Sequence, residues 1–394
     1  MINFDFNIRT KLYFGEGKKY IVGDLLKEYN VKKVAIVFGR GFVRSSGLLD
    51  IVLKSLDDNG ISYLLLEGVR PNPTRQLADR FVLEVKKYNP DFILAIGGGS
   101  VIDTAKYTAV GYYYDGSAFD FNLNLKLPEK ALPIGVLLTI SAAGSEMSTS
   151  CVVQDDTTMI KRGYNSSHIR PMFAIEDPSI TYHVNKFQTG CGIVDMMMHT
   201  LERYFQPSEV DYELADNLAI AVLKSVKEAG KIVIEDPNNY QGRATLMLSS
   251  TLSHNGLTHI GKPFFMPVHQ LEHALSGVYP QVAHGAGLSI LFPAWAEFFL
   301  DLHTHKLARL GRELFDVKIE NDKLAAKEAI KCFRNYFDSI GMPTYLEDCQ
   351  IDNLDIDKLV AVLTDNGKKV IKDGEKIINK ENARIIYESS LRRL

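Results

Sequence analysis

Apolar and polar positions along the chain change character once, near residue 180. Before that point short apolar runs alternate with amphipathic stretches. The run 33–38 (KVAIVF) leads through a glycine-containing turn into 48–56, whose apolar residues fall at helical spacing. A second run at 61–66 precedes the Pro71-Asn72-Pro73 turn and a helical stretch over 74–88. A third, 92–96 (FILAI), enters Gly97-Gly98-Gly99-Ser100, and 134–139 has the same apolar character. Near-continuous apolar strands alternating with helices predict a parallel, Rossmann-like sheet covered on both faces. Beyond about residue 182 the segments 192–205, 212–229, 240–252, 267–275 and 324–340 carry the helical period, and strand-like runs are scarce. The pattern therefore predicts an α/β domain over 1–180 and an all-α domain over 181–394, with the boundary close to Asp177-Pro178. No low-complexity linker or internal repeat intervenes, which predicts two tightly packed domains with a cleft between them.

Composition bounds this picture without changing it. A chain of 394 residues exceeds what one growing core usually supports, consistent with two domains. Hydrophobic residues at 46% and charged residues at 24% are ordinary for globular proteins. The net charge of -3 and the scattered Lys and Arg give no footprint for nucleic acid or anionic lipid. The opening Met1-Ile2-Asn3-Phe4-Asp5-Phe6 lacks a basic region followed by an apolar core, so no secretory signal is expected. The apolar runs fall far short of the roughly 20 residues needed to span a bilayer. Cys151, Cys191, Cys332 and Cys349 are widely separated and form no CxxC pair. Free thiols and a reducing, cytoplasmic location are the expectation.

Two places carry candidate chemistry. Gly97-Gly98-Gly99-Ser100 lies between a buried strand and a helix expected to begin near Val101. Glycines there let backbone amides and the helix dipole approach a phosphate, with Ser100 as the expected N-cap. The spacing is not GxGxxG, and a plain tight turn is the competing reading. The first strand ends in Phe38-Gly39-Arg40-Gly41, with an Arg where a 2′-hydroxyl usually finds a carboxylate. That favours NADP(H) over NAD(H), although Arg40 also fits a solvated surface charge.

In GIVDMMMHTLERY, Asp195 and His199 share one helix face at i, i+4. His269 and His273 repeat the spacing in PVHQLEHALSG, and His284 follows in VAHGAGL. One carboxylate and several imidazoles suit Fe²⁺ or Zn²⁺. A single histidine on an apolar helix is commonly a satisfied core residue. An unpaired carboxylate beside three methionines is costly and needs a cation or several donors. Spacing alone does not choose between His269 and His273.

These residues resemble the iron-containing alcohol dehydrogenase family, most closely its butanol dehydrogenase branch. The resemblance runs over nearly the whole chain, through GGGSVIDTAK (97–106), AGSEMS (143–148), GIVDMMMH (192–199), HQLEH (269–273) and AHGAG (283–287). It implies a dinucleotide-binding α/β domain followed by an all-α metal-binding domain, the dehydroquinate synthase-like architecture, with cofactor and metal in the cleft. It implies Asp195, His199, His269 and His284 as metal ligands, for Fe²⁺ in the family, and His273 as a nearby histidine outside the ligand set. It further implies nucleotide contacts from Asn72, Gly97, Gly98, Gly99, Ser100, Val101, Thr139, Ser148 and Lys161, an NADPH preference, small aldehyde and primary alcohol substrates, and a homodimer; Gly39 and Arg40 join the candidate cofactor contacts from their place at the end of the first strand. Three departures stand out. Ala143 replaces a common threonine, Arg40 interrupts the usual glycines, and the loop holding Tyr279-Pro280 is one residue longer before His284.

The implied chemistry is metal-assisted hydride transfer with His273 as a candidate proton relay, a ribose hydroxyl or water being the competing route. A cyclising lyase on the same architecture would need further basic residues for a phosphorylated substrate. The metal region offers Met196, Met197, Met198, Phe264, Phe265 and Met266 instead. A nucleotide- or metal-binding sensor would be told apart by the absence of aldehyde-dependent NADPH consumption.

Overall fold

The computed structural model describes residues 2–392 apart from 207–210, 264 and 375. Phe264, one of the apolar residues named above, thus lies outside the described residues. The chain divides into two compact units, Asn7–His183 and Val184–Leu394, the latter joined by the residues before Asn7. Within that second unit the Ile2 amide donates to the Gly261 carbonyl at 3.0 Å.

The first unit contains strands β1 (Lys11–Phe14), β2 (Lys33–Gly39), β3 (Ser62–Val69), β4 (Phe92–Gly97), β5 (Ile134–Leu138), β6 (Ser150–Asp155), β7 (Ile160–Asn165) and β8 (Phe173–Glu176). Between them run helices α1 (Val22–Glu28), α2 (Phe42–Ser45), α3 (Leu48–Asp58), α4 (Arg75–Tyr88), α5 (Gly99–Gly111) and α6 (Phe119–Asn122). Six strands form a wholly parallel sheet in the order β1-β8-β5-β4-β2-β3. Every residue of β4 is buried, because Phe92, Leu94 and Ile96 face a cluster with Leu49, Val52 and Leu56 of α3 while the alternate side chains face the other way. β6 and β7 form a separate antiparallel hairpin that the apolar pattern did not reveal.

The order of strands explains where a ligand would sit. The chain steps from β2 outward to β3, then returns to place β4 on the other side of β2. The carboxyl ends of β2 and β4 are therefore neighbours, with Phe38 paired to Ile96, at a point where the winding reverses. Ligands of open parallel sheets bind at such a reversal.

The second unit holds α7 (Lys186–Tyr204), α8 (Glu213–Glu235), α9 (Tyr240–His254), α10 (Pro267–Val278), α11 (His284–Phe298), α12 (Leu300–Phe315), α13 (Asp322–Ser339), α14 (Ile356–Thr364) and α15 (Lys380–Ser389). It is helical apart from a short hairpin of β9 (Ile371–Asp373) and β10 (Lys376–Ile378), so the expected all-α composition needs that amendment. Local chemistry sets the starts: the Asn185 side chain accepts from the Gln188 amide before α7, and Pro267 occupies the first turn of α10. Met196, Met197 and Met198 are fully buried in the core of this unit and form no open wall, whereas Phe265 and Met266 are half-buried. No single helix among the described residues is long and apolar enough to cross a membrane.

Candidate metal centre and dinucleotide cradle

Three helices of the second unit converge on one carboxylate oxygen. Asp195 and His199 lie one turn apart on α7, and His199 Nδ1 is 3.4 Å from Asp195 Oδ1. His269, in the first turn of α10, brings Nε2 to 3.5 Å of that oxygen, and His284, at the start of α11, brings Nε2 to 3.7 Å. Asp195 Oδ1, His199 Nδ1 and His269 Nε2 are buried and have no hydrogen-bond partner. Leaving three such atoms unsatisfied is costly, and one cation shared among them relieves all three at once. A donor set of one carboxylate oxygen and three imidazole nitrogens fits a divalent ion of the Fe²⁺ or Zn²⁺ type.

His269 and His273, which spacing alone does not separate, differ in their surroundings: His269 groups with Asp195 and His199, and His273 with Glu272 and His284. His269 Nδ1 is hydrogen-bonded to Glu202, which leaves Nε2 directed at Asp195. His273, one turn further along α10, is half-buried, with its ring centroid 6.3 Å from that of His269 and 5.6 Å from that of His284. His284 Nδ1 is likewise bonded to Glu272. The longer loop before His284 is tied down by Tyr279, whose hydroxyl accepts from the Asp355 amide at 2.7 Å and donates to the Asn353 carbonyl at 3.3 Å.

Glu202 and Glu272 were missed in the sequence, although both left a signal. Glu202 falls at i+7 from Asp195, on the same buried face, and Glu272 sits inside HQLEH. Arg203, also buried, donates to the His199 carbonyl at 2.5 Å and to His259 Nδ1 at 3.2 Å. His254 packs against His199 with centroids 4.1 Å apart and the rings tilted by 38°, and carried no pattern that would have found it.

Burial and neighbouring charge set the protonation of this cluster. Burial works against the charged form of His269, but Glu202 and Asp195 more than offset it and push its pKa up to about 9. His199 is held well below its ordinary value by burial and by the surrounding His254, His269, Arg203 and His284. Burial, then Arg203 and Lys262, lower His259 to about 3, and burial lowers Arg203 to about 10 despite Glu202.

In the first unit the cradle is built at the winding reversal. α5 begins at Gly99 with Gly98 as its N-cap and no side-chain cap, which corrects the expectation of Ser100 as N-cap and of a start near Val101. The turn is tighter because only glycine fits it. A Cβ on Gly97 would lie 2.4 Å from Val101 Cγ2, and one on Gly98 would lie 2.2 Å from Ile140 Cγ2. Gly39 and the exposed Arg40 stand beside it at the end of β2, Arg40 Nε donating to the Gly68 carbonyl at 3.3 Å. Thr139, buried, donates its amide to Gly97 at 3.2 Å. Asn72, in left-handed backbone at φ 57°, accepts from Lys161 Nζ at 3.0 Å.

Ser148 belongs to a loop fastened from beneath by α5. Lys106 Nζ, fully buried, donates to the Ser145, Ser148 and Ser150 carbonyls at 2.8, 3.2 and 2.7 Å and contacts the Ser145 and Ser148 hydroxyls. Asp103 accepts from the Ser145 hydroxyl at 2.7 Å and the Val152 amide at 2.9 Å. Burial lowers the Lys106 pKa and raises that of Asp103, each opposing the other's effect through its charge.

With both sites described, comparison with known proteins assigns the class. The family model described as iron-containing alcohol dehydrogenase matches residues 9–178, and that of the Fe-containing alcohol dehydrogenase family, C-terminal, matches 189–390. The chain belongs to the iron-containing alcohol dehydrogenase family. It is 38% identical over 371 residues to NADH-dependent butanol dehydrogenase A of Clostridium acetobutylicum, covering 93% of this chain and 95% of the relative. It is 31% identical to the NADPH-dependent aldehyde reductase YqhD of Escherichia coli, covering 99% and 100%. The crystal structure of NADH-dependent butanol dehydrogenase A from Thermotoga maritima superposes with a TM-score of 0.94 at 32% identity, covering 100% of this chain and 99% of that one. The chain is thus an oxidoreductase with nicotinamide-dependent relatives. Their names divide between NADH and NADPH, so the expected NADPH preference of the branch is not uniform among them.

Proposed function

We propose that the chain interconverts small aldehydes and primary alcohols with a nicotinamide dinucleotide, using Fe²⁺ held by Asp195, His199, His269 and His284. The observation that carries this is the set of buried, hydrogen-bond-free donor atoms around Asp195 Oδ1. Zn²⁺ or another divalent ion suits the same donors in vitro. When bound, the cation supplies Lewis acidity at the substrate oxygen and the nicotinamide supplies the hydride carrier. The chain's own part is to bind and orient. The turn of Gly97, Gly98, Gly99 and Ser100 presents backbone amides to a pyrophosphate, with Val101 beside it donating its own amide to the Gly98 carbonyl at 3.0 Å, and Gly39, Asn72, Thr139, Ser148 and Lys161 surround the nucleotide. His273 holds or moves the proton that accompanies hydride transfer. The half-buried Phe265 and Met266 suit short aliphatic substrates.

Chelation should abolish butanal-dependent oxidation of NADPH at 340 nm, and Fe²⁺ or Zn²⁺ should restore it. Full activity in metal-free protein overturns the reading.

NADP(H) is the proposed cofactor of choice because Arg40 is exposed at the tip of β2, where no acidic side chain follows the strand. Glu67, on the neighbouring β3, is engaged by Arg44 at 2.7 Å. Arg40→Asp should lower kcat/KM with NADPH relative to NADH; an unchanged ratio overturns this preference. A homodimer is proposed because β1, an edge strand, exposes Lys11 and Leu12 for pairing. The four free thiols fit a reducing, cytoplasmic setting.

A further inference from the structure

We propose that Glu202 and Glu272 are positioning residues of the metal centre: each fixes one imidazole ligand, and together they set the cage's charge for a divalent cation. The inference rests on the ligand set proposed above.

The same arrangement occurs twice on different helices. Glu202 of α7 takes the Nδ1 hydrogen of His269 of α10, and Glu272 of α10 takes that of His284 of α11. In both cases the proton is held at Nδ1, so the lone pair sits on Nε2, and both Nε2 atoms lie within 3.7 Å of Asp195 Oδ1. A hydrogen bond alone does not require this, because a carbonyl or amide oxygen would hold the tautomer equally well. Both acceptors are instead fully buried carboxylates, an expensive choice unless a charge compensates them.

Glu202 acts on the backbone as well. Its Oε1 accepts from the Val268 amide at 2.6 Å and the His269 amide at 3.3 Å, in the first turn of α10, where helical N–H groups lack internal partners. One side chain therefore fixes both the helix start and the ring it carries.

The formal charges close around this cage. Asp195, Glu202 and Glu272 contribute three negative charges, and the buried guanidinium of Arg203 contributes one positive charge. The remaining two negative charges are those a divalent ion neutralises. Neutral imidazoles complete the set without changing that balance. Removing either glutamate's charge leaves the loaded cage with an excess positive charge in a water-poor environment and weakens its hold on the metal.

The test uses the full-length protein and its Glu202→Gln and Glu272→Gln variants, titrated with Zn²⁺ against a competing chelator and, separately, with Co²⁺ followed by its visible absorption. Each variant should bind Zn²⁺ about 10- to 100-fold more weakly than the parent, the double variant more weakly still, with altered Co²⁺ bands. Glu202→Gln also weakens a helix start; if it does not fold, Glu272→Gln, checked by the thermal transition of the metal-free protein, decides alone. Unchanged Zn²⁺ affinity and an unchanged Co²⁺ spectrum, in variants of a parent that binds one equivalent, overturn the positioning role. A parent that binds no divalent ion, or an Asp195→Asn variant that binds it undiminished, overturns the ligand set and this inference with it.

Discussion

Gly287 of α11 makes room for Glu272 of α10: a Cβ built at Gly287 would lie 2.8 Å from Glu272 Cγ and 3.3 Å from its Oε1. Its neighbour Gly285 is constrained in the same way, since a Cβ there would lie 2.3 Å from the Cys191 carbonyl on α7. The AHGAG segment thus does two things. His284 brings its Nε2 to 3.7 Å of Asp195 Oδ1, and the glycines let α11 approach α7 and α10.

Gly287→Ala should therefore push Glu272 away from His284 and loosen that ligand. A loss of Zn²⁺ affinity of about tenfold is expected, the low end for disturbing a ligand's partner. Chelator competition measures it, and affinity equal to the parent's would show that the glycine serves packing alone.

The metal-free protein should lose stability as pH rises above neutrality. His269 in the folded chain titrates at about 9, against 6.5 as its ordinary value. Its raised pKa contributes stability that is fully present below about 6.5 and disappears as pH climbs through about 9, worth about 3 kcal/mol across the window. His199 acts in the opposite sense at lower pH: its depressed pKa costs stability as pH falls below about 6.5. Thermal unfolding from pH 5 to 10 should thus show a maximum for metal-free protein, and the alkaline decline should vanish when Zn²⁺ replaces the proton on His269. An alkaline decline identical with and without metal would remove His269 from the ligand set.

Lys106→Met should destabilise the first unit by about 1–3 kcal/mol, because the Ser145, Ser148 and Ser150 carbonyls would lose their buried donor and the half-buried Asp103 a nearby positive charge. Asp103→Asn in the same chain should recover part of this loss. The loop 145–150 would still lack its lysine anchor, so NADPH should bind more weakly in both variants while metal content stays constant. Denaturant unfolding and cofactor fluorescence titration separate the two effects. Unaltered NADPH affinity in the double variant would show that the clamp serves stability only.

The parts legible in the sequence were those where one physical requirement dominates. β2 and β4 are buried on both faces, so KVAIVF and FILAI are almost wholly apolar and announce themselves. β1 is a half-exposed edge, and β6 and β7 mix polar with apolar residues in a hairpin that lies outside the main sheet, so neither produced a clean run. Asp195 and His199 stood out through spacing on one apolar helix. His269 and His273 share their helix and spacing, and contacts from α7, those of Glu202 and Asp195 to His269, distinguish them. Such contacts between distant segments leave little trace along the chain. The start of α5 was misplaced because side-chain capping was expected of Ser100, whereas the close approach of Ile140 demands glycine at the cap.

His273→Ala tests the remaining catalytic assignment. His273 sits one turn beyond His269 on α10, with its ring 5.6 Å from that of His284, close to the proposed cage yet outside the group around Asp195 Oδ1. If it carries the proton, its removal should lower kcat by about 10²- to 10⁴-fold, the usual contribution of a positioned acid or base. Zn²⁺ stoichiometry and the thermal transition should match the parent's. A small nitrogen base such as imidazole, added to the assay, should restore part of the rate in the variant and leave the parent unaffected. A variant that turns over at the parental rate assigns the proton to a ribose hydroxyl or water. A variant that loses metal together with rate assigns His273 to the cage.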